Sequence, residues 1–220
     1  MILRKRFWIS GLFSVSLLLS NFVASARCST PNAGPAENKP GSSTGNLALG
    51  ARLMLRDGWQ VQTSSGQPEA AAISNTGFAA GGWYPTVIPA SVSGVLAQAG
   101  VYPDPFVGTN LRDWPGMGRG GGGPGRGGAP QANPFSVPWW FRTEFDLPAN
   151  LAGRAITLNL EGISYRADIW LNGAQIADAN QAAGAMRRFA FDFTKAARPG
   201  QRNALALKIQ AQKGDDLGHT

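Results

Sequence analysis

The chain of 220 residues carries 20 Lys and Arg against 13 Asp and Glu, with one cysteine and one histidine. The single cysteine, Cys28, excludes an intrachain disulfide and a cysteine metal cluster. The single histidine, His219, lies one residue from the chain end, where nothing fixes its orientation as the general base of a catalytic triad.

Residues 1–26 have the three-part pattern of a secretory signal peptide. Three basic residues at positions 4–6 precede a nearly uncharged run over residues 7–19, and small residues ending at Ala26 offer a cleavage site. A membrane anchor is the alternative, but a bilayer requires about 20 apolar residues and this run is shorter. An arginine before Cys28 argues against lipidation. We predict cleavage after Ala26, a secreted or periplasmic location, and no membrane association afterwards.

The net charge gives little support to nucleic-acid binding. The signal peptide holds three of the basic residues and no acidic one, which leaves 17 basic residues against 13 acidic ones. Two of these, Arg119 and Arg126, lie in a glycine tract, and no stripe of Lys and Arg suits a phosphate backbone. An RNA-binding RGG-type segment is the weaker alternative, because two arginines are few. We therefore predict no nucleic-acid partner.

Two segments contain too few apolar residues to offset the entropy of ordering them. Residues 27–46 are predicted to form a flexible leader, and residues 115–134 a disordered Gly- and Pro-rich insertion in one domain that spans residues 47–220. Residues 116–121 formally match the dinucleotide fingerprint G-x-G-x-x-G, but Pro124 and further glycines follow where a helix would begin. We predict no cofactor.

Hydrophobic periodicity predicts mostly strands. The front half offers candidate strands at residues 51–55 and 59–63 and a short helix at residues 91–99. After Trp139, apolar and polar residues alternate with period two in several runs, and Asn172-Gly173 is typical of a type I′ hairpin turn. Short alternating strands with turn-rich links favour an all-β, antiparallel jelly-roll β-sandwich over a parallel α/β sheet.

Acidic residues do not suggest a catalytic pair. A retaining glycosidase needs two carboxylates roughly 5 Å apart on either side of the scissile bond. Glu144 and Asp146 share one face of a predicted strand, where they stand side by side and cannot flank a sugar ring. The alternation places that face in solvent. We predict no catalytic residue and no metal site in this chain.

Aromatic residues are the informative group, because Trp and Tyr rings stack on sugar rings while neighbouring Asp or Asn side chains bind the hydroxyls. Core packing is the alternative for any of them, and it is favoured for whichever tryptophan of the Trp139-Trp140 pair points inward. The candidate sugar-contacting residues are Tyr102, Asp104, Asn110, Trp139 and Trp140.

Three ordered motifs carry a resemblance to a known family. They are VPWWFRTEF at residues 137–145, ADIWLNG at residues 167–173, and GVYPDPFVGTNL at residues 100–111. The chain resembles the N-terminal sugar-binding domain of glycoside hydrolase family 2, which has a galactose-binding-domain-like fold, and is similar to its β-mannosidase and exo-β-glucosaminidase branch. The likeness extends from about residue 47 to the C-terminus, and the glycine tract departs from it.

The resemblance implies a multidomain enzyme. In that family, immunoglobulin-like and TIM-barrel domains follow the sugar-binding domain, and the barrel supplies both catalytic glutamates. This chain resembles only the front of such a protein, which implies truncation and no hydrolysis by the chain alone. The expected partner is a β-linked mannoside or glucosamine oligosaccharide. A stand-alone carbohydrate-binding module is the alternative, and a purely structural interaction domain is a weaker one.

Overall fold

The computed structural model describes residues 52–115, 133–212 and 216. The predicted signal peptide, the predicted leader and nearly all of the predicted insertion lie outside these residues. Within the described ranges, no helix is both long and apolar enough to cross a bilayer. The strands and helices are β1 Trp59–Thr63, α1 Ala70–Ile73, β2 Tyr84–Thr86, α2 Val92–Gln98, β3 Trp139–Asp146, β4 Thr157–Leu160, β5 Ala167–Leu171, β6 Ala174–Ala177, β7 Phe189–Asp192 and β8 Arg202–Ile209.

The strands form two antiparallel sheets. The larger has six strands in the order β2-β1-β3-β8-β5-β6, and the smaller pairs β4 with β7. The central strands of the six-stranded sheet are β3 and β8. They pair over eight residues, from Trp139 opposite Ile209 to Asp146 opposite Arg202. The predicted all-β antiparallel sandwich is confirmed.

The main hydrophobic core contains residues from both sheets. Period-two alternation turns every second residue of β3, β5 and β8 toward it, so that Ile169, Leu171 and Leu205 are almost completely buried. Leu158 of β4 and Phe191 of β7 pack against the same cluster. Each fully buried Leu or Ile contributes about 1.5–3 kcal/mol relative to exposure, so this core is the main source of stability.

A short helix closes the core where the sequence predicts it. Helix α2 begins after Ser91, whose side-chain oxygen accepts the Gly94 N–H at 3.0 Å. Its buried face presents Val95 and Leu96 to the core. This hydrogen bond satisfies one of the free N–H groups of the first turn, which fixes the start of the helix.

The hairpin prediction is also confirmed. Asn172 and Gly173 both have positive φ, 51° and 87°, between β5 and β6. The strand prediction at residues 59–63 is confirmed as β1, whereas the one at residues 51–55 is wrong for its described part, because residues 52–55 form no strand. There the Leu55 carbonyl accepts the Trp59 indole N–H at 2.9 Å instead of a ladder hydrogen bond.

The opposite side of the large sheet, called here the outer face, is not open to solvent as the alternation suggested. A second hydrophobic cluster covers part of it, built from Ile73, Trp83, Trp140 and Ala206. Arg142 is only 3% exposed on this face. The prediction of a solvated face was wrong there, because the segment between β1 and β2 folds back over β3.

Candidate functional site

Residues 100–114, called here the aromatic loop, hold three of the five predicted sugar-contacting residues. Tyr102 packs against Trp114 with ring centroids 4.9 Å apart, and Trp114 stacks on Phe135 at 5.9 Å. The Trp114 indole N–H donates to the Pro103 carbonyl at 2.9 Å. Tyr102 is thus part of a packed aromatic stack and does not project as an isolated ring.

The two polar candidates in the aromatic loop hold its backbone in shape. The Asp104 carboxylate accepts the Phe106 N–H at 2.9 Å, and the Asn110 amide donates to the Asp104 carbonyl at 3.1 Å. These hydrogen bonds form a braced turn that leaves the Phe106 ring 96% exposed. The local geometry therefore gives Asp104 and Asn110 a structural role. Whether they also contact sugar stays a prediction.

The two adjacent tryptophans lie on opposite faces of the large sheet, as successive residues of a strand must. Trp139 is 6% exposed in the main core, and its indole N–H donates to the Pro134 carbonyl at 2.8 Å. Trp140 is 2% exposed in the cluster on the outer face. The five predicted residues thus do not form one site, and their contact with sugar remains a prediction.

A cleft of about 390 Å³ opens on the outer face next to Trp140. Its sheet side presents Trp140, Asp168, Trp170 and Lys208, and its opposite wall comes from the segment after β1. The wall residues are Ser64, Gln67, Pro68, Glu69 and Ala70. We call this feature the outer cleft.

Strand register explains why these side chains meet in the outer cleft. Lys208 of β8 lies opposite Trp140 of β3 on one side and opposite Asp168 of β5 on the other. The Lys208 ammonium lies 5.7 Å from the centre of the Trp140 ring, and the Trp140 and Trp170 ring centres are 5.2 Å apart. Sequence reasoning found only Trp140 of this group.

The carboxylate of Asp168 is oriented by two donors. One oxygen accepts the Ala179 N–H at 2.8 Å, and the other accepts the side-chain amide of Gln210. Gln210 also lines a second cleft of about 400 Å³, in which Arg166 and Asp216 form an ion pair. These contacts fix Asp168 between the two clefts.

Glu144, considered from the sequence as a possible catalytic carboxylate, is engaged in an ion-pair network on the outer face. It accepts hydrogen bonds from Arg142, from Arg202 at 2.8 Å and from the Gly77 N–H at 2.9 Å. Partial burial alone raises the pKa of Glu144, but the Arg142 and Gly77 hydrogen bonds and the charges of Arg142 and Arg202 outweigh it. Its pKa therefore lies below the ordinary 4.5, and the ionised carboxylate cannot donate a proton as a general acid at neutral pH.

The ion-pair network serves to attach the covering segment to the sheet. The Arg142 guanidinium donates to the carbonyls of Ile73 and Asn75, each at 2.8 Å, and lies 5.5 Å from the Phe78 ring centre. The role of Glu144 is therefore to neutralise Arg142 where the segment crosses β3.

Comparison with known proteins gives one consistent result. Residues 133–216 match the family model described as glycosyl hydrolase 2 galactose-binding domain-like. The exo-β-D-glucosaminidase of Amycolatopsis orientalis is 34% identical over 152 residues, which are 69% of this chain and 13% of that protein. The enzyme of the same name from Streptomyces avermitilis is 33% identical over 175 residues, 79% of this chain and 17% of the relative.

A solved structure agrees with these relatives. The crystal structure of the Amycolatopsis orientalis exo-chitosanase CsxA superposes with a TM-score of 0.59 at 32% identity, covering 71% of this chain and 16% of that one. The chain thus spans less than a fifth of the length of the relatives that it matches.

Proposed function

This chain carries the N-terminal galactose-binding-like domain of glycoside hydrolase family 2, and we propose that it is the non-catalytic, carbohydrate-contacting part of an exported β-glycosidase. The proposed substrates are β-linked glucosamine or mannose oligosaccharides. Hydrolysis of the O-glycosyl bond is assigned to a TIM-barrel domain, joined to this one through an immunoglobulin-like domain. Both are proposed partners in a longer protein.

The observation that carries the proposal is that sequence and fold each match the same kind of enzyme over more than two thirds of this chain. About a third of the residues are identical to exo-β-D-glucosaminidases over more than two thirds of this chain, and the superposition covers the same share. A shared β-sandwich alone would say little about function, because one fold hosts many activities. The exo-β-D-glucosaminidases among these relatives support aminosugar β-glycosides as one of the proposed substrate classes.

The non-catalytic role is supported by the state of Glu144. Its carboxylate is ionised and occupied by Arg142 and Arg202, so it is unsuited to protonate a leaving group. The test is to incubate the purified chain with chromogenic β-glucosaminide, β-mannoside and β-galactoside. We expect no turnover. Turnover that is lost in Glu144→Gln, shown to be folded by circular dichroism, but kept in Glu161→Gln, a surface carboxylate, would contradict the assignment.

Export is the second part of the proposal, and it depends on the pattern of residues 1–26. Expression of the full chain in a bacterium should deliver it outside the cytoplasm with a new N-terminus at Arg27. Mass spectrometry of the periplasmic and culture fractions measures both the location and the mass. A full-length chain that stays in the cytoplasmic fraction would refute export.

A stand-alone carbohydrate-binding module is the second candidate, favoured by the outer cleft, which the chain forms without any other domain. The two candidates differ in what the gene encodes after Thr220. An in-frame continuation that encodes a barrel with two glutamates supports the glycosidase. A stop codon at that point, together with saturable oligosaccharide binding by the chain, supports the module.

A further inference from the structure

We propose that the outer cleft is a binding site for one aminosugar unit of a β-linked oligosaccharide, with Trp170 as the stacking surface and Glu69 as the partner of the amino group. The site depends on the proposed function only in taking carbohydrate as the ligand class. It lies on the face opposite Trp139 and apart from the aromatic loop, which makes it an additional contact with the polymer.

Two large aromatic rings lie side by side on the sheet side of the outer cleft. Trp170 of β5 lies opposite the fully buried Ala206 of β8, and Trp140 of β3 lies opposite Lys208, two residues further along β8. The two ring centres are 5.2 Å apart and the ring planes are tilted by 54°. The buried Trp140 packs against the half-buried Trp170 and holds it in place. A ring fixed in this way loses little entropy when a sugar stacks on it.

Polar groups also line the outer cleft. The Lys208 ammonium lies above the Trp140 ring, and the Asp168 carboxylate beside it is fixed by two N–H donors. Gln67 and Ser64 line the opposite wall. An aromatic surface with a few oriented donors and acceptors is the arrangement that recognises a pyranose ring and its hydroxyls. The volume of about 390 Å³ is in the range of small-molecule sites.

The charge of the outer cleft favours a cationic sugar. Its lining contains the carboxylates of Asp168 and Glu69 and the single ammonium of Lys208. Asp168 already accepts two hydrogen bonds, whereas Glu69 is exposed and makes no side-chain capping bond to helix α1, which it precedes. The Glu69 carboxylate is therefore available to a protonated amino group at the rim. An N-acetylated sugar would lack this interaction.

The experiment is isothermal titration calorimetry of the full chain with a β-1,4-linked glucosamine tetraose and with its N-acetylated form, at a mildly acidic pH where the amines are protonated. We expect Trp170→Ala to weaken binding of the glucosamine tetraose about tenfold, the loss of one stacked ring. Glu69→Gln should weaken the glucosamine tetraose severalfold and leave the N-acetylated form unchanged. Glu161→Gln, which changes an exposed carboxylate that does not line the outer cleft, is the matched control for Glu69→Gln and should bind like the parent chain.

Several results would overturn the site. They are no binding by the parent chain, equal affinity in folded Trp170→Ala, or a loss in Glu161→Gln as large as in Glu69→Gln. Circular dichroism establishes folding, and Glu69→Gln, an exposed change, provides an independent arm if Trp170→Ala is unstable. Failure of the site is distinguishable from failure of the glycosidase assignment, because the latter is decided by whether the gene encodes a barrel in frame after Thr220.

Discussion

Glu144→Gln should destabilise the domain far more than an ordinary surface substitution. The change removes the ionic partner of Arg142, whose side chain is only 3% exposed, and leaves that charge against the neutral carbonyls of Ile73 and Asn75 and the Phe78 ring. Removing one partner of a fully buried pair costs about 3–5 kcal/mol. Glu144 keeps 17% exposure and glutamine still accepts a hydrogen bond, so we expect a loss of about 2–3 kcal/mol.

The measurement is urea unfolding followed by circular dichroism, with thermal unfolding as a second assay. For a domain of this size, about 2–4 °C is lost per kcal/mol, so the melting temperature should fall by about 5–10 °C. Glu161→Gln is the matched control, because its pair with Arg188 has side chains 63% and 83% exposed and should contribute less than about 1 kcal/mol. Equal midpoints for the two variants would refute the structural role of Glu144.

The ion pair of Glu144 with Arg142 also predicts how the stability of the domain depends on pH. Because the folded-state pKa of Glu144 lies below its unfolded value near 4.5, its contribution is complete above that value and is lost as the pH falls through the folded pKa. The stability difference between the parent chain and Glu144→Gln should be constant near neutral pH and shrink below about 4.5. A difference that grows on acidification would contradict the network.

Three further changes test other parts of the fold. Asn203→Ala should cost about 2–4 kcal/mol in urea unfolding, because the fully buried side chain accepts from Arg198 and Asn172 and donates to two carbonyls. Ser91→Ala should cost about 1 kcal/mol by the same measurement, through the lost cap of α2. The exposed Phe106 ring should make the parent chain associate at high concentration, and Phe106→Ser should reduce this association in size-exclusion chromatography. Identical elution profiles for the two proteins would contradict this role of Phe106.

The strands after Trp139 and the hairpin turn could be predicted from the sequence, because both depend on local backbone geometry. Alternation with period two after Trp139 predicted the strands and which residues share a face, because this alternation is a property of the extended backbone itself. The Asn172-Gly173 hairpin was predictable for the same reason, since positive φ is a local requirement. Each of the three motifs that carry the family resemblance is a short continuous run of residues, so each can be recognised without knowing the fold.

Tertiary structure decided what covers each face and which strands are neighbours. Alternation put Glu144 on the outer side of β3 but could not show that a segment some 70 residues earlier folds over it. Likewise Trp140, Lys208 and Asp168 meet only because β8 lies between β3 and β5, a pairing of strands distant in sequence. Hydrophobic alternation and turn residues determine local backbone geometry, whereas the order of strands in the sheet depends on burying the whole core. The aromatic side chains could therefore be recognised from the sequence, but the cleft that they form could not.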